Sequence, residues 1–150
     1  MDTATNPDEL ARRCADAMYA RDEAAQALGI ELVTIRAGYA EMCMEIKPWM
    51  GNGGRVCHGG LLFSLADTAM AFASNSRDSA YVAVSTSMEF LSPGRLGETV
   101  TAIATETHRA GRTATYNVAI RDRAEQAIAQ FLGRTYRVSG SVLAGPPPAS

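Results

Sequence analysis

The sequence predicts an α+β fold in which an antiparallel sheet of five or six strands wraps around one long, buried helix. Residues 61–73 are nearly all Leu, Phe, Ala or Met, and a helix that is apolar on every side lies in a protein core. This run of 13 residues is too short to span a bilayer. From residue 81 onward, segments rich in Val, Thr and Ser alternate with short turns, a pattern typical of strands.

Two strands are predicted before the helix and four after it. The early pair, residues 30–37 and 39–47, is joined through Gly38, and Pro48 ends its second strand. Turns rich in Gly, Pro and Asp separate the later strands, which cover residues 81–91, 97–108, 112–121 and 126–138. Because short turns join consecutive strands, these four are expected to form an antiparallel meander in chain order.

The chain is predicted to have three parts. Residues 1–28 form an N-terminal amphipathic helix packed on the domain, with Asn6 as its N-cap and Pro7 at its first helical position. Residues 29–138 form the domain itself. Residues 139–150 contain Ser, Gly and three consecutive Pro, and are predicted to be a disordered tail.

Composition argues against several kinds of partner. With 150 residues, 47% of them hydrophobic and 20% charged, the chain is typical of one soluble globular domain. Its net charge of −2 argues against nucleic acid, and we expect no membrane partner. The charge is uneven, because residues 91–150 carry seven Arg and only four acids. This excess suits a small anionic ligand.

Cysteine and histidine are scarce. Three scattered Cys residues imply no disulfide framework, and two His residues without paired Cys argue against a zinc site. The N-terminus has neither the basic nor the apolar region of a signal peptide. We therefore expect a cytoplasmic protein.

Two features of the predicted helix point to acyl chemistry. Asp67 lies in its middle, and burying an ionised carboxylate costs several kcal/mol unless it is paired or faces a cleft. Gly59 and Gly60 stand at its start, where a ligand can approach unpaired backbone N–H groups. Each feature alone could be structural, as a paired carboxylate or a tight turn. Their combination on one helix favours a catalytic site.

These residues carry a resemblance to a known family. Asn52, His58-Gly59-Gly60 and the segment Phe63-Ser64-Leu65-Ala66-Asp67-Thr68-Ala69 resemble the pattern of the hotdog-fold acyl-CoA thioesterases, and in particular the phenylacetic-acid-degradation thioesterase family. The resemblance covers roughly residues 28–138. It implies hydrolysis of an aryl- or hydroxyarylacetyl-CoA, or of another small acyl-CoA, to the free acid and CoA. It also implies no metal or organic cofactor, and protomers that pair edge to edge as homodimers and again as homotetramers.

The resemblance also implies roles for individual residues. Asp67 corresponds to the general base or nucleophile, the Gly59 N–H to the oxyanion donor, and Asn52 to a residue that orients water or the carboxylate. His58 corresponds to a histidine beside the oxyanion glycine. Some relatives add a hydroxyl residue one turn after the acid, where this chain has Ala71.

Substrate-binding residues are expected at the helix start and in the basic second half. Gly60 would allow close approach of the ligand, and the family often has a Gly-basic-Thr step at the place of Gly111-Arg112-Thr113. The candidates for holding the nucleotide of CoA are Arg95, Arg109, Arg112 and Thr113. Alternatively, these arginines are ordinary solvated turn residues.

Helix geometry predicts that two chains share each site. Gly59 and Asp67 are eight residues apart, which is about 12 Å along a helix axis. An oxyanion donor and an attacking group must both lie within about 3 Å of one thioester carbonyl. One chain therefore cannot supply both groups, and a second copy is needed.

Three other functions compete with hydrolysis. A hotdog enoyl-CoA hydratase needs a separate Asp–His pair, whereas only His58 lies near the motif, nine residues before Asp67. A cysteine nucleophile built on Cys57 and His58 is disfavoured, because adjacent side chains point apart. A non-catalytic acyl-CoA-binding protein would not need Asp67 or Asn52. Release of free thiol from acyl-CoAs separates hydrolysis from hydration and binding.

Overall fold

Six antiparallel strands and one long helix form the body of the protein, which a computed structural model describes over residues 4–148. The strand order is β1-β2-β4-β5-β6-β3. In chain order the elements are α1 (Pro7–Arg21), α2 (Glu23–Leu28), β1 (Glu31–Arg36), β2 (Tyr39–Glu45), a 3-10 turn (Pro48–Met50), α3 (Gly59–Ser74), β3 (Tyr81–Phe90), β4 (Thr99–Ala110), β5 (Thr113–Arg121) and β6 (Ala127–Arg137). The predicted α+β class and antiparallel sheet are confirmed.

The predicted meander is wrong for its first strand. Strand β3 pairs with β6 at the far edge of the sheet, while β4 enters beside β2. The reason lies in the connection between β3 and β4, which is not a tight turn. This connection crosses the start of α3, where the Gly94 carbonyl accepts a hydrogen bond from Cys57 N–H at 2.8 Å. Further along the connection, Gly97 N–H donates to the Ile46 carbonyl at 2.7 Å. These contacts place the following strand, β4, beside β2.

Helix α3 packs closely against the inner face of the sheet. A Cβ at Gly133 of β6 would lie 2.1 Å from the Met70 sulfur and 2.8 Å from the Phe131 ring. No side chain fits there, so a strand glycine allows the helix to approach the sheet backbone. Met70, Leu65 and Phe131 are fully buried in this contact. None of the helices described between residues 4 and 148 is long and apolar enough to cross a membrane.

The opposite side of α3 is not buried, contrary to the expectation of a helix covered all round. Gly60 is exposed, and Ser64, Asp67, Thr68 and Ala71 are half-buried. These positions recur every three or four residues and form one stripe, which we call the open stripe. The hydroxyls of Thr68 and Ser64 donate to the carbonyls four residues earlier, at 2.7 and 3.0 Å.

The N-terminal segment forms two helices rather than one. Asp22 interrupts the predicted run, because its N–H donates to the Tyr19 carbonyl while its carboxylate accepts from Ala25 N–H at 2.9 Å. Asn6 caps α1 as predicted, accepting from Asp8 N–H at 2.9 Å. Helix α1 buries its face with Ala11, Cys14 and Ala15. Residues 1–3 lie outside the described residues.

The C-terminal segment after β6 is held by side chains, which differs from the predicted disordered tail. The Asp78 carboxylate accepts hydrogen bonds from the Ser141 hydroxyl at 2.7 Å and Leu143 N–H at 2.8 Å. Arg21 donates to the Val142 carbonyl at 2.9 Å, and the Val142 side chain is buried. Hydrogen bonds to Arg21 and Asp78 therefore hold this segment in place, although it has no regular secondary structure. Residues 149–150 of the predicted tail lie outside the described residues.

A charged network closes the end of the core beyond α3. The Glu106 carboxylate accepts from Arg77 at 2.8 and 3.3 Å and from the buried Tyr116 hydroxyl at 2.8 Å. Burial alone would raise the pKa of Glu106, but the hydrogen bonds from Arg77 and Tyr116 outweigh it and lower that pKa. Burial and the bond to Glu106 raise the pKa of Tyr116.

Replacing Glu106 with Gln is expected to lower the free energy of unfolding by about 2 kcal/mol at pH 7, because Arg77 loses a charged hydrogen-bond partner. A carboxylate whose folded pKa is lowered stabilises the fold above its unfolded pKa, near 4.3, and loses that effect as pH falls through the folded pKa. The difference between Glu106→Gln and wild type should therefore shrink below about pH 4. Urea unfolding of both proteins at several pH values measures this difference in free energy.

Glu125→Gln is the matched control. Its carboxylate is 76% exposed and lies 3.8 Å from Arg121, and an exposed pair of this kind contributes at most about 1 kcal/mol. Equal losses in the two variants, or a loss in Glu106→Gln that does not change with pH, would contradict a stabilising role of the partly buried Arg77–Glu106 pair.

Candidate active site

A loop built on Asn52 leads into α3. The Asn52 side-chain oxygen accepts from Gly54 N–H at 2.8 Å and Val56 N–H at 3.3 Å, and Asn52 N–H donates to the Val56 carbonyl at 2.8 Å. Arg55 adopts a left-handed conformation, with φ of 59°, to close this turn. The side chain of Asn52 thus holds the loop through its oxygen. Within residues 4–148 its amide NH₂ group has no hydrogen-bond acceptor.

His58 is the N-cap of α3. Its Nδ1 accepts from Gly60 N–H at 3.2 Å, and its own N–H donates to the Met50 carbonyl at 2.8 Å. Its carbonyl accepts from Leu61 N–H at 2.9 Å. Side-chain acceptors at this position satisfy N–H groups that a helix start leaves unpaired. Gly60 is exposed, but its N–H is occupied by His58.

Gly59 supplies the first N–H of α3. Among the described residues, nothing accepts a hydrogen bond from it. A cavity of about 330 Å³ lies beside it, with Asn52 and Phe90 also in its wall. A Cβ at Gly59 would stand 3.1 Å from the Phe90 ring, so glycine is the residue that fits under this ring. The site can present an unpaired N–H to a small ligand.

Asp67 lies in the middle of α3 on the open stripe, half-buried. Within the described part of the chain, its carboxylate has no hydrogen bond and no ion pair, and burial raises its pKa. A carboxylate with a raised pKa is a stronger base towards water. Desolvation without a compensating partner is the environment in which acid–base groups are found.

The structure brings some predicted site residues together and separates others. Asn52, His58 and Gly59 meet at the start of α3, joined by the Gly51–Cys57 bridge. Asp67 stands two turns further along the helix, about 12 Å away along its axis, and does not line the cavity beside Gly59. Within one chain, the Gly59 N–H and the Asp67 carboxylate therefore face different regions of the surface.

The candidate nucleotide-binding residues are also split between the two ends of α3. Arg95 is exposed beside Val56 at the helix start. Arg109 at the end of β4, Arg112 in the β4–β5 turn and Thr113 at the start of β5 lie at the other end, where Glu106 pairs with both Arg109 and Arg77, the latter just after α3. The Thr113 hydroxyl donates to the Ala110 carbonyl at 3.2 Å, which closes that turn. Arg109 and Arg112 are exposed.

Sequence reasoning missed Phe90 and Leu91, which line the cavity beside Gly59. Their side chains are 57% and 56% exposed at the end of β3, so they present apolar surface to a ligand in this cavity. The only signal in the sequence is an apolar pair directly before the Ser-Pro-Gly turn. The crossing that brings this pair to α3 follows from the strand order, which the turn pattern did not reveal.

The cysteines do not form a reactive centre. Cys57 is buried, and burial raises the pKa of its thiol, which makes it a poor nucleophile. Cys14, Cys43 and Cys57 are all free thiols. Across residues 4–148, no three His, Cys, Asp or Glu side chains are grouped as metal ligands.

The fold and the site together are typical of one class of protein. Its marks here are the strand order, the unpaired N–H at the start of α3 and the half-buried Asp67 carboxylate. The family model described as the thioesterase superfamily matches residues 54–129, and the chain belongs to that superfamily. The match includes His58, Gly59 and Asp67.

Individual relatives extend the match over most of the chain. The acyl-coenzyme A thioesterase PaaI of Escherichia coli is 41% identical over 128 residues, which cover 85% of this chain and 91% of that protein. The solved structure of E. coli PaaI, from the phenylacetic acid degradation operon, has a TM-score of 0.88 and covers 89% of this chain and 97% of that one, at 40% identity. A putative esterase of Archaeoglobus fulgidus is 35% identical over 87% of this chain and 85% of its own length.

Asp67→Asn is expected to raise the free energy of unfolding at pH 7, because burial disfavours the ionised carboxylate. A carboxylate whose folded pKa is raised destabilises the fold at pH values above that pKa, and this effect disappears as pH falls below its ordinary pKa, near 3.9. The gain should therefore vanish in acid. Thermal unfolding from pH 3 to 8 measures it. Asp16→Asn, at an exposed position of α1, is the control, and a gain of equal size there would contradict the prediction.

Proposed function

We propose that this chain is an acyl-CoA thioesterase that hydrolyses an aryl- or hydroxyarylacetyl-CoA, or another small acyl-CoA, to the free acid and CoA. The observation that carries the proposal is the presence on one helix of an unpaired Gly59 N–H and of Asp67, whose carboxylate is desolvated and unpartnered within the described residues. The 41% identity to E. coli acyl-coenzyme A thioesterase PaaI supports the substrate class. We also propose a cytoplasmic location, which the three free thiols favour.

In the proposed reaction, Gly59 N–H donates to the thioester carbonyl oxygen as negative charge develops there. One such donor contributes about 3–4 kcal/mol to transition-state stabilisation. Asp67 removes a proton from water, whose oxygen forms a bond to the carbonyl carbon. The tetrahedral intermediate then collapses, the C–S bond breaks, and the CoA thiolate leaves and takes up the proton.

A covalent route uses the same residues. The Asp67 carboxylate then attacks the carbonyl carbon itself, expels the thiolate and forms an anhydride that water hydrolyses. In both routes the Asn52 amide, whose oxygen holds the loop while its NH₂ group has no acceptor in the described chain, orients the water or the carboxylate. His58 contributes by capping α3 and fixing the position of Gly59.

We propose that two chains form each site. Strand β3 is an edge of the sheet and is exposed on both faces, with Val82 48% and Val84 55% exposed. A long unpaired edge with apolar side chains favours pairing with another strand. Two-fold antiparallel pairing of β3 would bring Asn52 and Gly59 of one protomer towards Asp67 of its partner. The full assembly proposed is a homodimer that pairs again into a homotetramer.

The same pairing would gather the basic residues. It turns the helix start of one protomer towards the helix end of its partner. Arg95 of one chain would then approach Arg109, Arg112 and Thr113 of the other. Guanidinium groups at such a junction suit the phosphates of the CoA nucleotide. The Gly60 backbone leaves room for the pantetheine arm near the carbonyl.

Asp67→Asn is expected to lower kcat by about 10²- to 10⁴-fold with little change in KM, because a general base acts in the transition state. Free thiol released from phenylacetyl-CoA and short-chain acyl-CoAs measures the rate. Asp16→Asn, on the exposed side of α1, should keep wild-type activity. Near-wild-type turnover by folded Asp67→Asn would place the base elsewhere, and no thiol release by wild type would favour binding without hydrolysis.

Mixing Asp67→Asn with Asn52→Ala tests whether chains share sites. After subunit exchange, each mixed dimer would hold one intact site and one doubly altered site. Each variant alone is expected to be nearly inactive, and its residual activity is subtracted. Random reassortment makes half the dimers mixed, so activity should return to about a quarter of wild type. Mass spectrometry verifies the exchange.

A chain carrying both substitutions, mixed with Asp67→Asn, is the negative control for that experiment, since no Asp67 is then present. Verified exchange of the two single variants without recovered activity would mean that each site lies within one chain.

A further inference from the structure

A second cavity lies further along the open stripe, towards the end of α3. Its volume is about 550 Å³, within the range of small-molecule sites. Three parts of the chain form its wall: the N-terminal helices, the end of α3 with the start of β3, and the C-terminal segment. Its apolar wall residues include Met18, Ala71, Ala80, Tyr81, Val142 and Pro146. We call it the terminal cavity.

The terminal cavity begins one helical turn after Asp67. Ala71 follows Asp67 by four residues on the same stripe, so their side chains are neighbours about 5–6 Å apart. Asn75, eight residues from Asp67, also lines the cavity, about 12 Å along the axis. A group attached to a carbonyl beside Asp67 and directed towards the end of α3 enters this space.

Most polar side chains of the wall are already bound to protein groups, whereas Glu23 and Ser139 have no side-chain hydrogen bond among the described residues. Arg21 donates to the Val142 carbonyl, and Asn75 binds both the N–H and the carbonyl of Tyr81. Ser141 donates to Asp78, outside the wall, at 2.7 Å. What remains for a ligand is largely Met, Ala, Val, Tyr and Pro surface. Such a wall suits an apolar group and gives little to an anion.

The C-terminal side of this wall is held in place. Asp78 binds both the Ser141 hydroxyl and Leu143 N–H, and the Leu143 bond lowers the pKa of its carboxylate. Ala80 N–H donates to the Gly140 carbonyl at 3.3 Å, and Val138 N–H donates back to the Ala80 carbonyl at 2.8 Å. The segment is therefore tied to the start of β3 as well as to α1.

We propose that the terminal cavity binds the acyl group of the substrate, with the C-terminal segment as one wall. It favours apolar acyl groups long enough to pass Ala71, such as arylacyl or medium-chain groups, over acetyl. This inference rests on the proposed thioesterase function, because it places the reacting carbonyl at Asp67. It adds a specificity determinant of which two parts, the N-terminal helices and the C-terminal segment, lie outside the matched thioesterase segment, residues 54–129.

Binding of S-alkyl-CoA thioethers, from ethyl to decyl, tests the proposal without hydrolysis. Calorimetry on the whole 150-residue chain should show affinity rising about fourfold for each methylene that enters the cavity. Ala80→Leu reduces the space and should weaken binding of the longer thioethers by about tenfold while changing S-ethyl-CoA less than twofold. Met18→Ala enlarges the cavity and should shift the preferred chain length upward.

Ala24→Leu is the matched control, because Ala24 is exposed on α2 and lies outside the wall. It should leave the affinities unchanged. Affinity independent of chain length in wild type, or an Ala80→Leu series identical to wild type, would overturn the proposal.

Thiol release from the matching acyl-CoAs separates this inference from the proposed function. Hydrolysis with a chain-length profile that Ala80→Leu leaves unchanged overturns the terminal cavity as the acyl site and keeps the thioesterase. Length-dependent thioether binding that Ala80→Leu weakens, without thiol release from any acyl-CoA, overturns the thioesterase and supports the cavity.

Discussion

The close packing of α3 on the sheet is the constraint on which the structure depends. Met70 occupies the space in which a side chain at Gly133 would lie, so the helix rests almost on the backbone of β6. This contact fixes which side of α3 is buried. The opposite stripe must then face outward, and Asp67 is held half-desolvated there without being sealed in the core. The contact between Met70 and Gly133 therefore determines the electrostatic environment of Asp67, the candidate base.

The start of α3 is organised by hydrogen bonds rather than by packing. Asn52 closes the loop before it, and His58 takes the Gly60 N–H. Both residues satisfy polar backbone groups near Gly59 but leave its own N–H unpaired within the described chain. An unpaired donor at a helix start carries partial positive charge. Rigid neighbours around such a donor give the preorganisation that oxyanion stabilisation requires.

Local patterns predicted the elements well, because strand, turn and cap signals act over a few residues. Asn6, the strands from β1 to β6 and the helix at residue 59 follow such signals. The strand order could not be predicted, since it depends on how the segment before β4 crosses the start of α3. The break at Asp22 was missed because this residue caps two helices at once. The separation of Gly59 from Asp67 was predictable, because it requires only the helical rise.

The two ends of the chain form one structural unit, although Arg21 and the carbonyl it binds are 121 residues apart. That unit touches the outer side of α3 but takes no part in the packing at Gly133. Chain termini tolerate substitution, insertion and changes of length better than a core does. Evolution can therefore remodel this wall while the sheet, the helix and its carboxylate stay as they are. Differences between closely related proteins of this fold should therefore accumulate in this wall.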